Sequence, residues 1–400
     1  MYKSLVEDPD IHSNDQSSSD DARASGGFDL LKRKASKVDK DKKKDRKKGG
    51  EKNNATELSG RKKDRKKEKE DKGEQTVVGM TVAAPLNQMH PAVQKWVERV
   101  LSMGVQALRD EYRALAKYTM EGMTQEAFNA NQPLGRNRYQ DVPCQDAKRV
   151  VLKSPPAACD YVHANYVGTP LSDKRFICTQ GPLDNTADDF WWLVWQERAE
   201  QIIMLCNVIE TGKCKCAQYW PVEVGEKRQV TGGSMVVEKI DMKPMAGEPT
   251  IMITNLKMIV GSETRTVRHI QWLDWPDRGV PPCRLTSMEL LSSVRGSKAP
   301  IVVHCSAGIG RTGTIVAIEY ILEKISAGCE CMAMGDLMKE LRNQRAYSIQ
   351  NDLQFLYIHR VMLCYFLEKY KEKYGALLTE ENTAKLKKFV EEYNAAVGQT

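Results

Sequence analysis

Apolar positions recur with two different periods along this chain, and the change of period divides it. From His90-Pro91 onward, Val93, Trp96, Val97, Val100, Leu101, Met103 and Leu108 fall at helical spacing. The pattern predicts a helix opened by the proline. A second helical stretch runs to about Ala130, and the two read as a packing cap on a larger body. From Arg138 the pattern becomes that of strands, over 149–152, 161–167, 175–180, 202–209, 217–222, 235–242, 251–260 and 267–273. A helix over 187–199, with Phe190, Trp191, Val194 and Trp195 on one face, interrupts them. A short apolar strand, Ile301 to His304, stands among helices predicted over 286–295, 311–326, 334–344 and 351–374. Strands early and helices late predict an α/β (α+β) fold, a single large domain with a highly twisted mixed sheet flanked by helices. An amphipathic helix over 379–397 carries Leu386, Phe389, Val390 and Tyr393 as a face that could dock on the body.

The first 78 residues follow neither period. Residues 1–31 are Ser/Asp-rich with net charge −5, and residues 32–72 carry net +11. The remaining chain is nearly balanced at +1, so the basic character belongs to this tail. With almost no apolar residues it cannot bury a core, and disorder is expected over 1–78. The folded body is expected over 79–375, with 376–400 as a C-terminal helix or tail. Lys32-Arg33-Lys34, Lys42-Lys43-Lys44 and Arg61-Lys62-Lys63 suit an import receptor or an anionic surface. Interspersed acids and the lack of aromatic residues argue against nucleic acid.

No apolar run reaches 18 residues, so no transmembrane segment is expected. The N-terminus lacks an apolar signal core, and Tyr2 stands where myristoylation needs glycine. With eleven cysteines, this predicts reduced thiols in a cytoplasmic protein, with a nuclear location also open. Cys214-x-Cys216 and Cys329-x-Cys331 lack a second ligand pair, so no metal and no cofactor are expected.

The candidate chemistry lies in the segment 300–313, Pro-Ile-Val-Val-His-Cys-Ser-Ala-Gly-Ile-Gly-Arg-Thr-Gly. A strand, a glycine-bearing loop and a helix start make an anion cradle of backbone N–H groups. The same field favours the thiolate of Cys305, and Arg311 offers a planar fork matched to phosphate oxygens. Gly308-x-Gly310-x-x-Gly313 also fits a dinucleotide fingerprint. That reading needs an acidic residue at the end of a second parallel strand, and it leaves Cys305 and Arg311 without a purpose. A buried structural cysteine is the other alternative. Attack on a phosphate ester also needs an acid for the leaving oxygen. The turn-rich segment 272–282 offers Asp274 and Asp277. Asp277, between Pro276 and Gly279, is the better candidate, although Pro-Asp-x-Gly is also an ordinary turn.

His304-Cys305-x5-Arg311-Thr312-Gly313 with an upstream Trp275-Pro276-Asp277 resembles the protein tyrosine phosphatase family, of the cysteine-dependent, non-receptor kind. Asn137-Arg-Tyr-Gln-Asp-Val142, Asp160-Tyr-Val-His-Ala-Asn165, Thr179-Gln-Gly-Pro-Leu183, Asp189-Phe-Trp-Trp192, Lys215-Cys-Ala-Gln-Tyr-Trp-Pro221, Gln344-Arg345 and Ile349-Gln350-Asn-Asp-Leu-Gln354 resemble its other motifs in order. The resemblance covers roughly 90–375 and implies hydrolysis of phosphotyrosine in proteins without a metal. It implies Cys305 as the nucleophile that becomes phosphorylated. Arg311 and the N–H groups of Ser306, Ala307, Gly308, Ile309, Gly310 and Arg311 would hold the phosphoryl oxygens. The Thr312 hydroxyl would help the cysteine leave. Asp277 would be acid and then base, and Gln350, less directly Gln354, would place the water. Glu210 would hold Arg311, and Lys215 would meet the closed acid loop. Tyr139 would stack on the substrate ring, and Asp141 would take the peptide's N–H groups.

Three positions depart from the family pattern. Asn351 replaces the usual Thr, and His163 and Asn165 replace Asn and Ser; all three are expected to be tolerated. Tyr347 stands where some relatives carry a small residue that opens a secondary pocket. An accessible Cys305 thiolate is also expected to be inactivated reversibly by peroxide. A phosphotyrosine-binding pseudophosphatase is a second function class, disfavoured because Cys305, Arg311 and Asp277 are all present. A lipid or nucleotide phosphatase is a third, disfavoured by Tyr139 and Asp141.

Overall fold

The computed structural model describes residues 91–153, 159–329 and 333–398. The expected charged tail over 1–78 lies outside them. Eleven strands follow in chain order: β1 (Arg149–Val151), β2 (Tyr161–Thr169), β3 (Ser172–Thr179), β4 (Gln201–Met204), β5 (Ile209–Glu210), β6 (Lys213–Cys214), β7 (Lys227–Val230), β8 (Met235–Met245), β9 (Glu248–Val260), β10 (Glu263–Trp272) and β11 (Ile301–His304). The α-helices are α1 (Pro91–Leu115), α2 (Glu126–Asn131), α3 (Ala187–Gln196), α4 (Thr286–Val294), α5 (Gly310–Ser326), α6 (Met334–Arg342), α7 (Asp352–Leu363), α8 (Lys371–Tyr374) and α9 (Glu380–Val397).

Nine strands form one mixed sheet in the order β1-β2-β3-β11-β4-β10-β9-β8-β7. The middle strands β3, β11, β4 and β10 run parallel, and the flanking pairs are antiparallel. Every residue of β11 is buried, as a continuous apolar run in a sheet covered on both faces should be. Parallel strands end together, so the loops that leave their C-terminal ends share one crevice, where ligands of open α/β sheets bind.

The expected α+β fold with a mixed sheet is present, and individual elements differ from expectation for identifiable reasons. The strand expected over 202–209 stops at Met204, and Leu205 N–H makes the last ladder bond with β11, to the His304 carbonyl at 2.8 Å. Ile209 belongs instead to a separate hairpin of β5 with β6. Segment 217–222 is an irregular loop, buried except at Gln218 and Val222, with Ala217 N–H bonded to the Pro182 carbonyl at 2.7 Å. Its apolar pattern reflects the packing of Tyr219 and Trp220. Edge strand β7 was not anticipated because Lys-Arg-Gln-Val is polar, as edges that avoid aggregation tend to be. Of the second helical stretch only α2 forms. The helix expected over 351–374 turns into a π-helical segment at Cys364–Lys369 before α8.

Helix α1 runs longer than expected and breaks at Gly104, whose φ is +69°. It packs on α7 and α9, with the buried Trp96 ring stacked 5.9 Å from His359 and edge-on to Phe366. Thr379 caps α9 by accepting from Asn382 N–H, and Gly398 closes it in the left-handed region. The ten described cysteines are all free thiols. No helix among the described residues is long and apolar enough to cross a membrane.

The apolar face of α9 buries Phe389 and Tyr393 completely. Phe389→Ala is expected to lower unfolding free energy by about 3–4 kcal/mol, the range for emptying a packed aromatic site. Urea denaturation checks this, and a loss under about 1 kcal/mol would mean that α9 does not belong to the cooperative core.

Candidate active site

Strand β11 delivers Cys305 to the crevice, and the chain then turns through 306–309 into α5. Among the described residues, no protein group accepts from the N–H groups of Ser306, Ala307, Ile309, Gly310 or Arg311. The Gly308 N–H donates to Cys305 Sγ at 3.2 Å. Gly308 has φ +71°, and a Cβ there would lie 2.0 Å from the Thr179 carbonyl oxygen. The tight turn therefore requires glycine on two grounds, conformation and space. Among the described residues, the buried Thr312 hydroxyl finds no hydrogen-bond partner. A buried orphan of this kind calls for an explanation, and a catalytic duty is one.

The Arg311 guanidinium is buried, 3% exposed. It donates to both carboxylate oxygens of Glu210 at 2.6 and 2.9 Å, and to the Trp275 carbonyl at 3.0 Å. Burial opposes its charge, but the Glu210 hydrogen bonds and the nearby negative charges, Cys305 first among them, together outweigh burial and raise its proton affinity. Asp277 Oδ1 lies 3.5 Å from the same guanidinium, and Asp277 Oδ2 accepts from Lys215 Nζ at 2.6 Å. Burial pushes the Asp277 carboxyl up, yet the Lys215 hydrogen bond and the Arg311 charge prevail and hold it below the usual carboxylate range. Asp274 is differently engaged: it accepts from the Trp272 indole at 2.6 Å. Of the two candidate acids, only Asp277 is paired with Arg311 and Lys215.

At the rim, the Tyr139 hydroxyl and Ser306 Oγ are 2.8 Å apart. Ser306 gives its one proton to the Lys215 carbonyl at 3.0 Å, so Tyr139 donates to Ser306. Asp141 is partly exposed and makes no hydrogen bond among the described residues. Gln350 N–H donates to Gln354 Oε1 at 2.9 Å. A Cβ at Gly310 would lie 2.9 Å from Gln350 Oε1 and 3.0 Å from Gln354 Nε2, so both amides reach the loop. His304 Nδ1 faces the Cys305 carbonyl at 3.2 Å and must donate to it. The Tyr219 hydroxyl then donates to His304 Nε2 and accepts from His269 Nε2, each at 2.8 Å. Trp275 is buried and donates its indole N–H to the Gly279 carbonyl at 3.1 Å, closing the acid loop on itself.

Sequence reasoning named Arg345 only as part of a motif, yet it underlies the whole loop. Fully buried, it donates to the carbonyls of Gly308 at 3.1 Å and Ala307 at 3.2 Å, and to Asn165 Oδ1 at 2.8 Å. It also donates to His163 Nδ1 at 3.2 Å. His163 Nε2 donates to the Val142 carbonyl, which leaves Nδ1 free to accept. Burial, aided by Arg345, pulls the His163 pKa down to about 3, so the ring stays neutral. The departures His163 and Asn165 are thus partners of one buried guanidinium. The signal was their alternate spacing on β2, which puts both on one face. Arg138 was also passed over; it donates to the Gly181 and Pro182 carbonyls at 3.0 and 2.7 Å and ties the rim to the loop. Among the described residues, no group of three or more His, Cys, Asp or Glu side chains is arranged to hold a metal ion.

A family model described as protein-tyrosine phosphatase matches residues 133–364. Tyrosine-protein phosphatase Lar-like of Caenorhabditis elegans is 34% identical over 285 residues, which are 68% of this chain and 13% of that protein. Human tyrosine-protein phosphatase non-receptor type 9 is 31% identical over 311 residues, 72% of this chain and 50% of that protein. The chain therefore spans half or less of the length of these curated relatives. The solved catalytic domain of human protein tyrosine phosphatase non-receptor type 18 is 28% identical with a TM-score of 0.60, covering 68% of this chain and 99% of that one. A complex of that phosphatase with HER2 phosphopeptides is 29% identical with a TM-score of 0.63, again covering 68% and 99%.

The lowered Asp277 carboxyl has a consequence for stability. A carboxyl depressed on folding contributes fully above its unfolded value and loses that contribution as pH falls through the folded one. The melting-temperature advantage of the wild type over Asp277→Asn is therefore expected to be largest near neutrality. It should shrink below about pH 4, the ordinary carboxylate value. An advantage that stays constant from pH 7 to pH 3 would show that the ion pairs of Asp277 do not form in solution.

Proposed function

The chain belongs to the protein-tyrosine phosphatase family, and from that premise we propose that it hydrolyses phosphotyrosine in proteins through a phosphocysteine on Cys305. One observation carries the reading: the Gly308 N–H reaches the Cys305 sulfur, its neighbours in the loop have N–H groups without a protein acceptor among the described residues, and the Arg311 guanidinium lies near enough to feel the charge of Cys305. That is the preorganised donor set a phosphoryl group requires. In the proposed first step the Cys305 thiolate attacks phosphorus, an S–P bond forms, and the P–O bond to tyrosine breaks. Asp277 gives its proton to the departing phenolic oxygen. In the second step a water held by Gln350 and Gln354 loses a proton to Asp277 and attacks phosphorus. The S–P bond breaks, inorganic phosphate leaves, and the Thr312 hydroxyl donates to the returning thiolate.

The electrostatics support this order of events. Without substrate, Lys215 and Arg311 keep Asp277 ionised. A bound phosphate dianion draws on the Arg311 fork and adds negative charge nearby, which favours the protonated acid that the first step needs. Tyr139 is hydrogen-bonded to Ser306, the residue after the nucleophile, which supports its reading as the ring that stacks on the tyrosine of the substrate. Phosphoserine is too short to reach Cys305 past such a rim. Asp141 is free to take peptide N–H groups, and protein substrates agree with the likeness to a catalytic domain solved with phosphopeptides. On this reading 79–375 is the catalytic unit and its thiolate is open to reversible oxidation by peroxide. The protein acts in cytoplasmic signalling, with the basic tail a handle for an import receptor or an anionic surface. Fusing 1–75 to a fluorescent reporter tests the tail.

Hydrolysis of phosphotyrosine, phosphoserine and phosphoinositide substrates, side by side, separates the classes. Turnover is expected for the first alone and none for Cys305→Ser. Asp277→Ala should lower kcat by roughly 100- to 10,000-fold, the usual worth of a general acid, while still binding substrate. Asp274→Ala behaving this way instead would assign the acid wrongly. Tyr347 holds φ +60°, a conformation that favours glycine. Tyr347→Gly should fold normally and broaden kcat/KM across a phosphopeptide panel; unchanged relative values would remove Tyr347 from substrate choice.

A further inference from the structure

Asn351 occupies the turn between Gln350 and α7, and its side-chain amide is engaged at both ends. Oδ1 accepts from Gln354 N–H at 2.9 Å, which caps α7. Because a backbone N–H can only donate, that bond fixes which way the amide points. Nδ2 therefore faces outward, and it donates to the carbonyl of Arg278 at 2.7 Å. Arg278 directly follows Asp277, and its φ of +58° lies in the left-handed region that an arginine enters only under constraint.

We propose that Asn351 is a positioning residue that latches the acid loop shut over the nucleophile by holding the Arg278 carbonyl. The inference rests on the phosphatase reading above. The charged contacts that reach the acid loop from across the crevice differ in kind. The Lys215 and Arg311 contacts with Asp277 are ion pairs, and they weaken when Asp277 carries the proton it must donate. The Arg311 contact with the Trp275 carbonyl shares its guanidinium with the incoming phosphate. The Asn351 bond joins two neutral groups and touches neither Asp277 nor substrate. Unlike those charged contacts it is indifferent to the protonation of the acid, so it keeps the loop closed at the moment the proton is needed. The neutral bond from Asn207 Nδ2 to the Leu273 carbonyl, at 2.7 Å, holds only the start of the loop, four residues before Asp277. The Asn351 bond also ties the loop to the turn that carries Gln350, so one contact aligns the acid with the residue proposed to place the second-step water.

The two ends of the amide can be separated. Threonine caps a helix with its hydroxyl but has no second arm to reach Arg278, so Asn351→Thr removes the latch and keeps the cap. In the full-length protein, Asn351→Thr is expected to lower kcat/KM for a phosphotyrosine peptide about three- to ten-fold, the worth of one neutral hydrogen bond. An aryl phosphate with a strongly acidic phenol needs no proton from Asp277, and its kcat/KM should fall less than about two-fold. In an Asp277→Ala background Asn351→Thr should add nothing. A merely structural role would slow all substrates equally and persist in that background; either result overturns the latch. Hydrogen exchange over 274–280 reads the latch without catalysis. It should quicken in Asn351→Thr with the melting temperature held, and unchanged exchange would refute the proposal even if the chain hydrolysed no phosphotyrosine. Absence of Cys305-dependent phosphotyrosine turnover in the wild type would overturn the functional reading instead.

Discussion

A buried positive charge governs this structure. The Arg311 guanidinium is buried in the crevice, beside a loop whose N–H groups lack protein acceptors among the described residues. A cation removed from water needs a counter-charge, and removing one member of such a pair costs about 3–5 kcal/mol. Glu210 supplies it in bidentate form, from a hairpin that lies outside the main sheet. Asn207 N–H braces that carboxylate at 2.9 Å. The residue after β6 is Lys215, which points its ammonium back at Asp277. One small hairpin thus neutralises the resident cation and charges the acid loop.

The direction of the peptide groups in the loop depends on a second buried cation. Arg345 takes the carbonyls of Ala307 and Gly308 on the far side of the loop. Peptide N–H and carbonyl point in opposite directions, so holding the carbonyls below turns donors toward the sulfur. Among the described residues Arg345 has no carboxylate partner there; Asn165 and a neutral His163 complete its shell. A carboxylate in that place would cancel part of the field that the loop presents. Neutral partners leave it intact.

What sequence could reveal follows from how local each feature is. The strand, loop and helix over 300–313 were legible because the signal is contiguous: an apolar strand, three glycines and an arginine six residues after the cysteine. The sheet was legible in kind from alternation, and β11 in place from its apolar run. The end of β4 was not, because it is set by the ladder with β11, whose last bond runs from Leu205 N–H to the His304 carbonyl, a partner about a hundred residues away. The irregular loop at 217–222 was read as a strand because aromatic packing imitates alternation. Arg345 was underrated for the same reason: its partners on β2 are separated from it by 180 and 182 positions. The roles of Glu210, Lys215, Gln350 and Tyr139 came from family resemblance; spacing alone offered no route to them.

The acid loop shows why such long-range contacts matter to the chemistry. Asp277 sees two cations, which favour the ionised form that a base needs and disfavour the neutral form that an acid needs. A carboxylate cannot serve both steps from one fixed environment. In the proposed reaction the substrate resolves the conflict, because its phosphate competes for Arg311 and supplies negative charge beside the carboxyl. After the tyrosine departs, the phosphoryl group stays on sulfur with Arg311, and Lys215 again favours the ionised carboxylate just when a base is required. The alternation needs a loop that remains in place while the charge within it changes. Ion pairs to Asp277 cannot provide that by themselves, since their strength changes with the same proton. Neutral contacts to the loop backbone can, and the structure places them on either side of Asp277: Trp275 bonded to Gly279 within the loop, and Asn351 bonded to Arg278 from outside it.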